Sequence, residues 1–209
     1  MAPLSRRTAA QTSKRAAVET SVMRATEALL ADGASYPELS VEQIASRAGI
    51  SRTAFYFYFR DKRELLMRLT EGVAEQLFQR AEDWWSGTDD GDGAAELADA
   101  LASIFAIYRG HAPLLRAVVE AAAYDETTAL AWRALVGRFV TATRERIERE
   151  QAAGNVNPAL PAAEIAFGLA WMTERSAYEL LVQDTDFSDD ALVQGLLAIW
   201  LGAVYGRPR

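Results

Sequence analysis

Cysteine is absent from the 209 residues, and histidine occurs once, at His111. The first absence excludes disulfides, thiolate nucleophiles and cysteine-ligated metals. The second excludes any site that needs two imidazoles and leaves little room for a Ser-His-Asp triad. No apolar run approaches ~20 residues, and the basic start, Met1 to Ala17, has no apolar segment of the signal-peptide kind. The chain therefore reads as cytosolic, neither secreted nor membrane-spanning. There is no nucleotide-binding glycine loop and no metal-ligand cluster. The acidic pairs Asp89-Asp90 and Asp189-Asp190 fall in loop or cap sequence, where solvation is the default. No enzyme and no cofactor are expected.

What is present suits a soluble protein of one or two domains, with 50% hydrophobic and 24% charged residues. The net charge of −7 hides an asymmetry. Residues 1–70 hold 11 Lys+Arg against 7 Asp+Glu, whereas residues 71–209 hold 11 against 22. A basic module facing a polyanion, carried on an acidic body, would show this division, although counts this small also arise by chance.

Periodicity predicts an all-α chain of about nine helices, with no strand and no repeat. Residues 1–14, with Arg6, Arg7 and Lys14, read as a flexible basic arm. A first helix runs from about residue 15 to Asp32 and ends at Gly33. Ser40-Val41-Glu42-Gln43 has capping-box spacing, opening a helix over 41–47. Gly49 suits a tight turn, and Ser51 caps a third helix ending near Phe57. Five consecutive aromatics, Phe55 to Phe59, favour a strand by propensity. With a cap four residues before and another at Asp61, no room is left for a partnered strand, so they read as the end of helix 3 and its turn. Phe55, Phe57 and Phe59 are assigned partly or wholly to the core. Helix 4 extends from about Asp61 to Trp85, and Ser86–Gly93 is the clearest loop. Further helices are expected at about 94–109, 111–123, 126–152, 162–183 and 188–205.

Two short capped helices joined by a glycine turn, residues 40–57, form a helix-turn-helix pattern, which a plain helical corner could also show. Three further segments accompany it: Ala48-Gly49-Ile50-Ser51-Arg52-Thr53, Phe55-Tyr56-Phe57-Tyr58-Phe59 and Lys62-Arg63-Glu64-Leu65-Leu66. Together with Val41-Glu42-Gln43-Ile44-Ala45, they resemble the N-terminal signature of the TetR family of bacterial repressors over about residues 15–70. Glu174-Arg175, Ile199-Trp200 and Tyr205-Gly206 are similar to the subgroup of ethionamide-activation repressors. The resemblance implies a helix-turn-helix DNA-binding domain at 15–60 and an effector-binding, dimerising domain at 61–209.

The reading-head roles agree with that pattern. Ser51 and the first amides of its helix can face a phosphate, which the helix dipole favours. Arg52 can bond guanine bidentately, and the Thr53 methyl can touch thymine. Tyr56 and Tyr58 offer hydroxyls, and Lys62 matches the family's phosphate-contacting lysine. With Ser40, these seven are the candidate DNA contacts. The basic arm, with Arg15 at its end, could add phosphate or minor-groove contacts or be a solvated tail.

The last two helices are apolar around most of their circumference: Leu192, Leu196, Ile199 and Ala203 run beside Val193, Leu197, Trp200 and Val204, while Ile165, Leu169 and Met172 lie beside Phe167, Ala170 and Trp171. Such helices need covering on more than one side, by a thick core or by a partner. The resemblance implies pairing with their copies in a four-helix bundle, hence a homodimer on a near-palindromic operator. It also implies that Phe105, Tyr108, Trp132, Val136, Phe139, Ala170, Trp171, Thr173, Glu174, Tyr178 and Trp200 line a ligand tunnel. Ala170 and Thr173 fall where the subgroup carries amide side chains, so its hydrogen-bonding pattern is not kept. Each aromatic alone could equally be core, and Glu174 could instead pair with Arg175. The expected function is a repressor released by a hydrophobic small molecule, with no membrane partner. The alternative is a helical protein that sequesters such molecules without an operator.

Overall fold

The structure, a computed structural model, describes residues 4–87, 93–183 and 185–206. Over them the chain forms α1 (Leu4–Ala31), α2 (Val41–Arg47), α3 (Arg52–Tyr58), α4 (Lys62–Ser86), α5 (Gly93–Gly110), α6 (Ala112–Tyr124), α7 (Glu126–Ala152), α8 (Ala162–Val182) and α9 (Asp189–Tyr205), with no strand among the described residues. Asp89-Asp90, most of the expected Ser86–Gly93 loop, and Asp184 lie outside them.

The all-α expectation holds, with one correction at the start. Residues 4–14, expected as a flexible arm, belong to the continuous helix α1. Nothing between Leu4 and Ala31 breaks a helix: glycine and proline are absent, and alanine, the best helix former, recurs throughout. The side chains of Arg6 and Arg7 lie outside the described part. Arg15 is on the helix surface, its guanidinium 2.9 Å from Glu19 and stacked 5.7 Å above the Phe57 ring.

Local chemistry explains the short elements. Ser40 accepts from the Gln43 amide while the Gln43 side chain accepts from the Ser40 amide, completing the capping box. Gly49 takes φ +72°, a left-handed conformation that favours glycine, and turns the chain between α2 and α3. Ser21 of α1 donates to the Ala48 carbonyl (3.2 Å), tying the turn down. Phe55 and Phe59 are buried with rings 5.4 Å apart, whereas Phe57 is 70% exposed. Its assignment to the core is corrected by helix period: residues four apart share a face, and the one between them points the other way. Asp61 caps α4 by accepting from the Glu64 amide. Glu64 reaches back to the Arg60 amide (2.9 Å) rather than to that of the cap residue.

Two hydrophobic cores result. One joins α1–α3 with Leu65, Leu66, Leu69, Val73 and Leu77 of α4 and with Leu114, Ala117 and Ala121 of α6. The other joins Ala81, Trp84 and Trp85 of α4 with α5, α7, α8 and α9. Helix α4 thus belongs to both, while Ile104, Tyr108 and Phe139 pack against both. No helix among the described residues is long and apolar enough to cross a membrane.

Candidate DNA interface and ligand cavity

Capping by Ser51, whose side chain accepts from the Ala54 amide (3.1 Å), starts α3 and aims its first turn outward. Ser51, Arg52, Thr53 and Tyr56 are exposed, and Tyr58 is half-buried. The Arg52 guanidinium lies 5.8 Å over the Tyr56 ring and pairs with Glu42 of α2. These groups form one surface on which a planar donor fork, a methyl and a phenol stand side by side. Ser40 is half-buried and occupied by its capping box.

Lys62 is differently placed from its expected role. Its ammonium donates to the carbonyls of Tyr36, Pro37 and Leu39 and sits 5.2 Å over the Tyr36 ring. Partial burial lowers its pKa. The Tyr36 hydroxyl in turn donates to the Lys62 carbonyl. Lys62 therefore locks the α1–α2 connection to the start of α4, with three carbonyls as partners.

Between the two cores lies a cavity of about 80 Å³. Helix α4 contributes Thr70, Val73, Ala74, Leu77, Ala81, Trp84 and Trp85, a stripe at helical spacing that spans ~22 Å at 1.5 Å per residue. The rest of the lining comes from α5 to α9, including Leu101, Tyr108, Leu115, Trp132, Val136, Phe139, Thr143, Ala170, Thr173, Glu174 and Trp200, together with His111 at the α5–α6 turn. Eight of the expected residues thus come together: Tyr108, Trp132, Val136, Phe139, Ala170, Thr173, Glu174 and Trp200. Three do not. Phe105 is buried in the body core without lining the cavity. Trp171 turns the other way and packs on Phe167, ring centroids 6.3 Å apart. Tyr178 lies beyond the cavity, its hydroxyl bonded to the Gln183 amide (3.0 Å). On α8, steps of three and four from Ala170 reach Thr173 and Glu174; Trp171, one residue on, is turned away by ~100°, whereas Tyr178 continues the i+4 row but stands two turns beyond Ala170, past the cavity.

The residues missed include the α4 stripe, His111 and apolar positions of α5 to α7 such as Leu101, Leu115 and Leu135. The α4 stripe has the apolar periodicity of ordinary core, and only its position between two cores makes it a wall. His111 Nδ1 lies 3.2 Å from Glu27 of α1, so one residue touches both the cavity and the helix-turn-helix unit.

Most polar atoms of the lining already have partners. Thr173 Oγ1 donates to the Leu169 carbonyl and accepts from Trp200 Nε1, both at 3.0 Å. Trp85 Nε1 donates to Thr143 (3.4 Å). Two groups are exceptions, the indole Nε1 of Trp84 and Glu174, which is 3% exposed with no hydrogen-bond partner at either carboxylate oxygen. Burial pushes its pKa up, against the lowering effect of Arg175. Burial, reinforced by the Glu174 charge, likewise pushes the Tyr108 phenol up. The suggested Glu174–Arg175 pair does not form. Arg175 points away, 3.6 Å from Glu179 and stacked 4.9 Å over Tyr178.

Opposite the cavity, α8 and α9 carry apolar residues on their outer faces: Phe167 is 58% and Ile199 51% exposed, with Gly195, Ala198 and Gly202 beside Ile199 also exposed. The inward stripe of α9 is Val193, Leu196, Trp200 and Val204.

A small helix-turn-helix unit joined through one shared helix to a helical body with an internal apolar cavity is the architecture of a one-component transcriptional regulator. Two family models match in agreement with it: the bacterial regulatory proteins of the tetR family over residues 22–69, and the C-terminal domain of the transcriptional regulator EthR over residues 97–206. The chain belongs to the TetR family and is a transcriptional repressor of the EthR type with a ligand-binding C-terminal domain. It is 28% identical over 192 residues to the HTH-type transcriptional regulator EthR of Mycobacterium tuberculosis, covering 91% of this chain and 88% of that one. The regulator of the same name from Mycolicibacterium smegmatis is also 28% identical, over 186 residues, with 87% and 84% covered. In fold, the chain resembles the regulator FadR of Bacillus subtilis in complex with stearoyl-CoA, with TM-score 0.74, 16% identity and 90% and 99% of the two chains covered. It also resembles NalD, the secondary repressor of the MexAB-OprM multidrug efflux pump in Pseudomonas aeruginosa, with TM-score 0.69, 21% identity and 90% and 97% covered. Such homologues are not enzymes, in agreement with the sequence.

Proposed function

We propose that the protein is a cytoplasmic repressor that binds a near-palindromic operator as a homodimer and leaves it when a hydrophobic small molecule fills the cavity. Residues 15–60 act as the reading head and residues 61–209 as the effector and dimerisation part. The observation that carries this reading is the shared helix: α4 begins directly behind α3, and its cavity stripe runs between the two cores.

Arg52, Thr53 and Tyr56 read base edges, with Ser51, Tyr58 and the first amides of α3 on phosphates. Ser40 and Lys62 hold the head's shape, Ser40 through its capping box and Lys62 through the carbonyls of Tyr36, Pro37 and Leu39. The exposed apolar faces of α8 and α9 pair with those of a second subunit, with the glycines beside Ile199 allowing close helix approach. A two-fold pair sets the two α3 helices about one DNA turn, ~34–36 Å, apart.

Release follows from linkage. A ligand between the cores favours the arrangement in which they stand further apart, with α4 as the lever and the His111–Glu27 contact as a second connection. DNA affinity falls only by the ligand's preference for that arrangement, and a coupling of ~1–3 kcal/mol releases DNA about 5–150-fold.

The test is binding to the DNA upstream of the protein's own gene with salt varied. With 6–10 phosphate contacts, affinity should fall ~10³–10⁵-fold between about 50 and 200 mM salt, with a footprint. A flat response without a footprint would refute the repressor reading in favour of a sequestering protein.

A further inference from the structure

We infer that the cavity is built for a lipophilic amine, a narrow apolar body carrying an ammonium that Glu174 receives. The inference deepens the reading of the cavity as an effector site and rests on it.

The argument begins with cost. A carboxylate removed from water without a partner is strongly destabilising, and an apolar residue of similar size would serve a plain core better. Glu174 is nevertheless 3% exposed, lines the cavity and has no hydrogen-bond partner at either oxygen. The Tyr108 phenol is close enough to feel the Glu174 charge but does not bond it, and the other neighbours are committed elsewhere. Thr173 and Trp200 bond to each other, and the adjacent guanidinium, Arg175, faces outward to Glu179. His111, the remaining cationic candidate in the lining, has its Nδ1 toward Glu27. No lysine or arginine lines the cavity among the described residues.

A cavity whose buried, unpartnered carboxyl has no lysine or arginine beside it in the lining favours a cation, which holds that carboxyl in its ionised form. A carboxylate or phosphate headgroup would meet Glu174 unscreened at low dielectric and be repelled. A neutral apolar molecule would fill the space but leave the carboxylate unsatisfied. An ammonium supplies both the opposite charge and donors, forming charge-assisted hydrogen bonds. The apolar part then lies along the α4 stripe: the space of about 80 Å³ open in the ligand-free arrangement takes its first few carbons, and the rest enters as the two cores part, the released arrangement proposed above.

Four tryptophans in the lining, Trp84, Trp85, Trp132 and Trp200, give the readout. Full-length protein at pH 7 is titrated with dodecylamine, 1-dodecanol and dodecanoate below their aggregation concentrations, following tryptophan fluorescence. The amine should bind about tenfold or more tighter than the alcohol, and dodecanoate weakest. Glu174→Gln should erase the preference for the amine over the alcohol, and Glu174→Asp should keep part of it. If the amine binds no tighter than the alcohol, if its advantage survives in Glu174→Gln, or if dodecanoate binds tightest, the inference is overturned while the cavity stands as an effector site. If none of the three binds, both fall.

Discussion

Filling the cavity from within, without any ligand, isolates the linkage from the question of what the ligand is. Ala74 sits on the α4 stripe, 5% exposed, with its side chain lining the cavity. Ala74→Leu adds three carbons to that wall. At ~0.8 kcal/mol per buried CH₂ the gain approaches 2.4 kcal/mol. The cavity sets its own ceiling: at ~24 cal/mol per Å³, removal of about 80 Å³ is worth ~2 kcal/mol. The two routes agree on ~2 kcal/mol, which for a chain of this size is a rise in Tm of about 4–8 °C. The proposed release mechanism adds a second consequence. A filled cavity favours the released arrangement, so operator affinity, measured by fluorescence anisotropy, should fall about 5–150-fold. A higher Tm with unchanged operator affinity would refute the coupling. A lower Tm would refute the open space itself, since an overfilled core loses about 1–3 kcal/mol.

Lys62→Met removes the donor to three carbonyls; discounted for partial exposure, the loss should be about 1–2 kcal/mol by thermal unfolding, with operator and random DNA weakened alike. Unchanged stability would refute its locking role. Glu64 is held down to about 2, first by the Arg60 amide and then by the Arg60 and Arg68 guanidiniums. An unfolded glutamate titrates near ~4.3, so this contribution is complete above that value and lost as the pH falls towards about 2. The Tm difference between wild type and Glu64→Gln should therefore be largest above pH ~5 and vanish near pH 2; a difference independent of pH would count against it. Ile199→Arg places a charge on the exposed α9 face. Light scattering should then give the monomer mass, with operator binding lost; a retained dimer mass would move the interface elsewhere.

Glu174 bears on stability as well as on ligand choice. Its pKa is raised, so the folded state binds the proton more tightly than the unfolded state. The ligand-free protein should lose stability as the pH rises from the ordinary carboxylate range through that raised value. Glu174→Gln should remove this slope and raise Tm at neutral pH. A variant less stable than wild type at pH 7 would mean that the carboxylate has a partner after all.

Sequence by itself determined the elements and their punctuation. Ser40, Ser51 and Asp61 are caps whose chemistry acts within four residues, and Gly49 is a turn whose φ only glycine adopts readily, so both could be read locally. The order of apolar and charged residues likewise separated a basic head from an acidic body. Tertiary structure decided what local pattern cannot encode. Whether Trp84 is core or cavity wall depends on the helices opposite it, because a 3.6-residue period specifies a face and not what lies across from it. Phe105, Trp171 and Tyr178 share the aromatic character of Trp132 and Trp200 but do not line the space. Lys62 is a cation in the sequence, and only the approach of residues 36–39 turned its ammonium toward backbone. Glu174 and Arg175 are adjacent in the chain, yet consecutive helical residues diverge by ~100°, and that divergence left one buried and alone and the other paired on the surface.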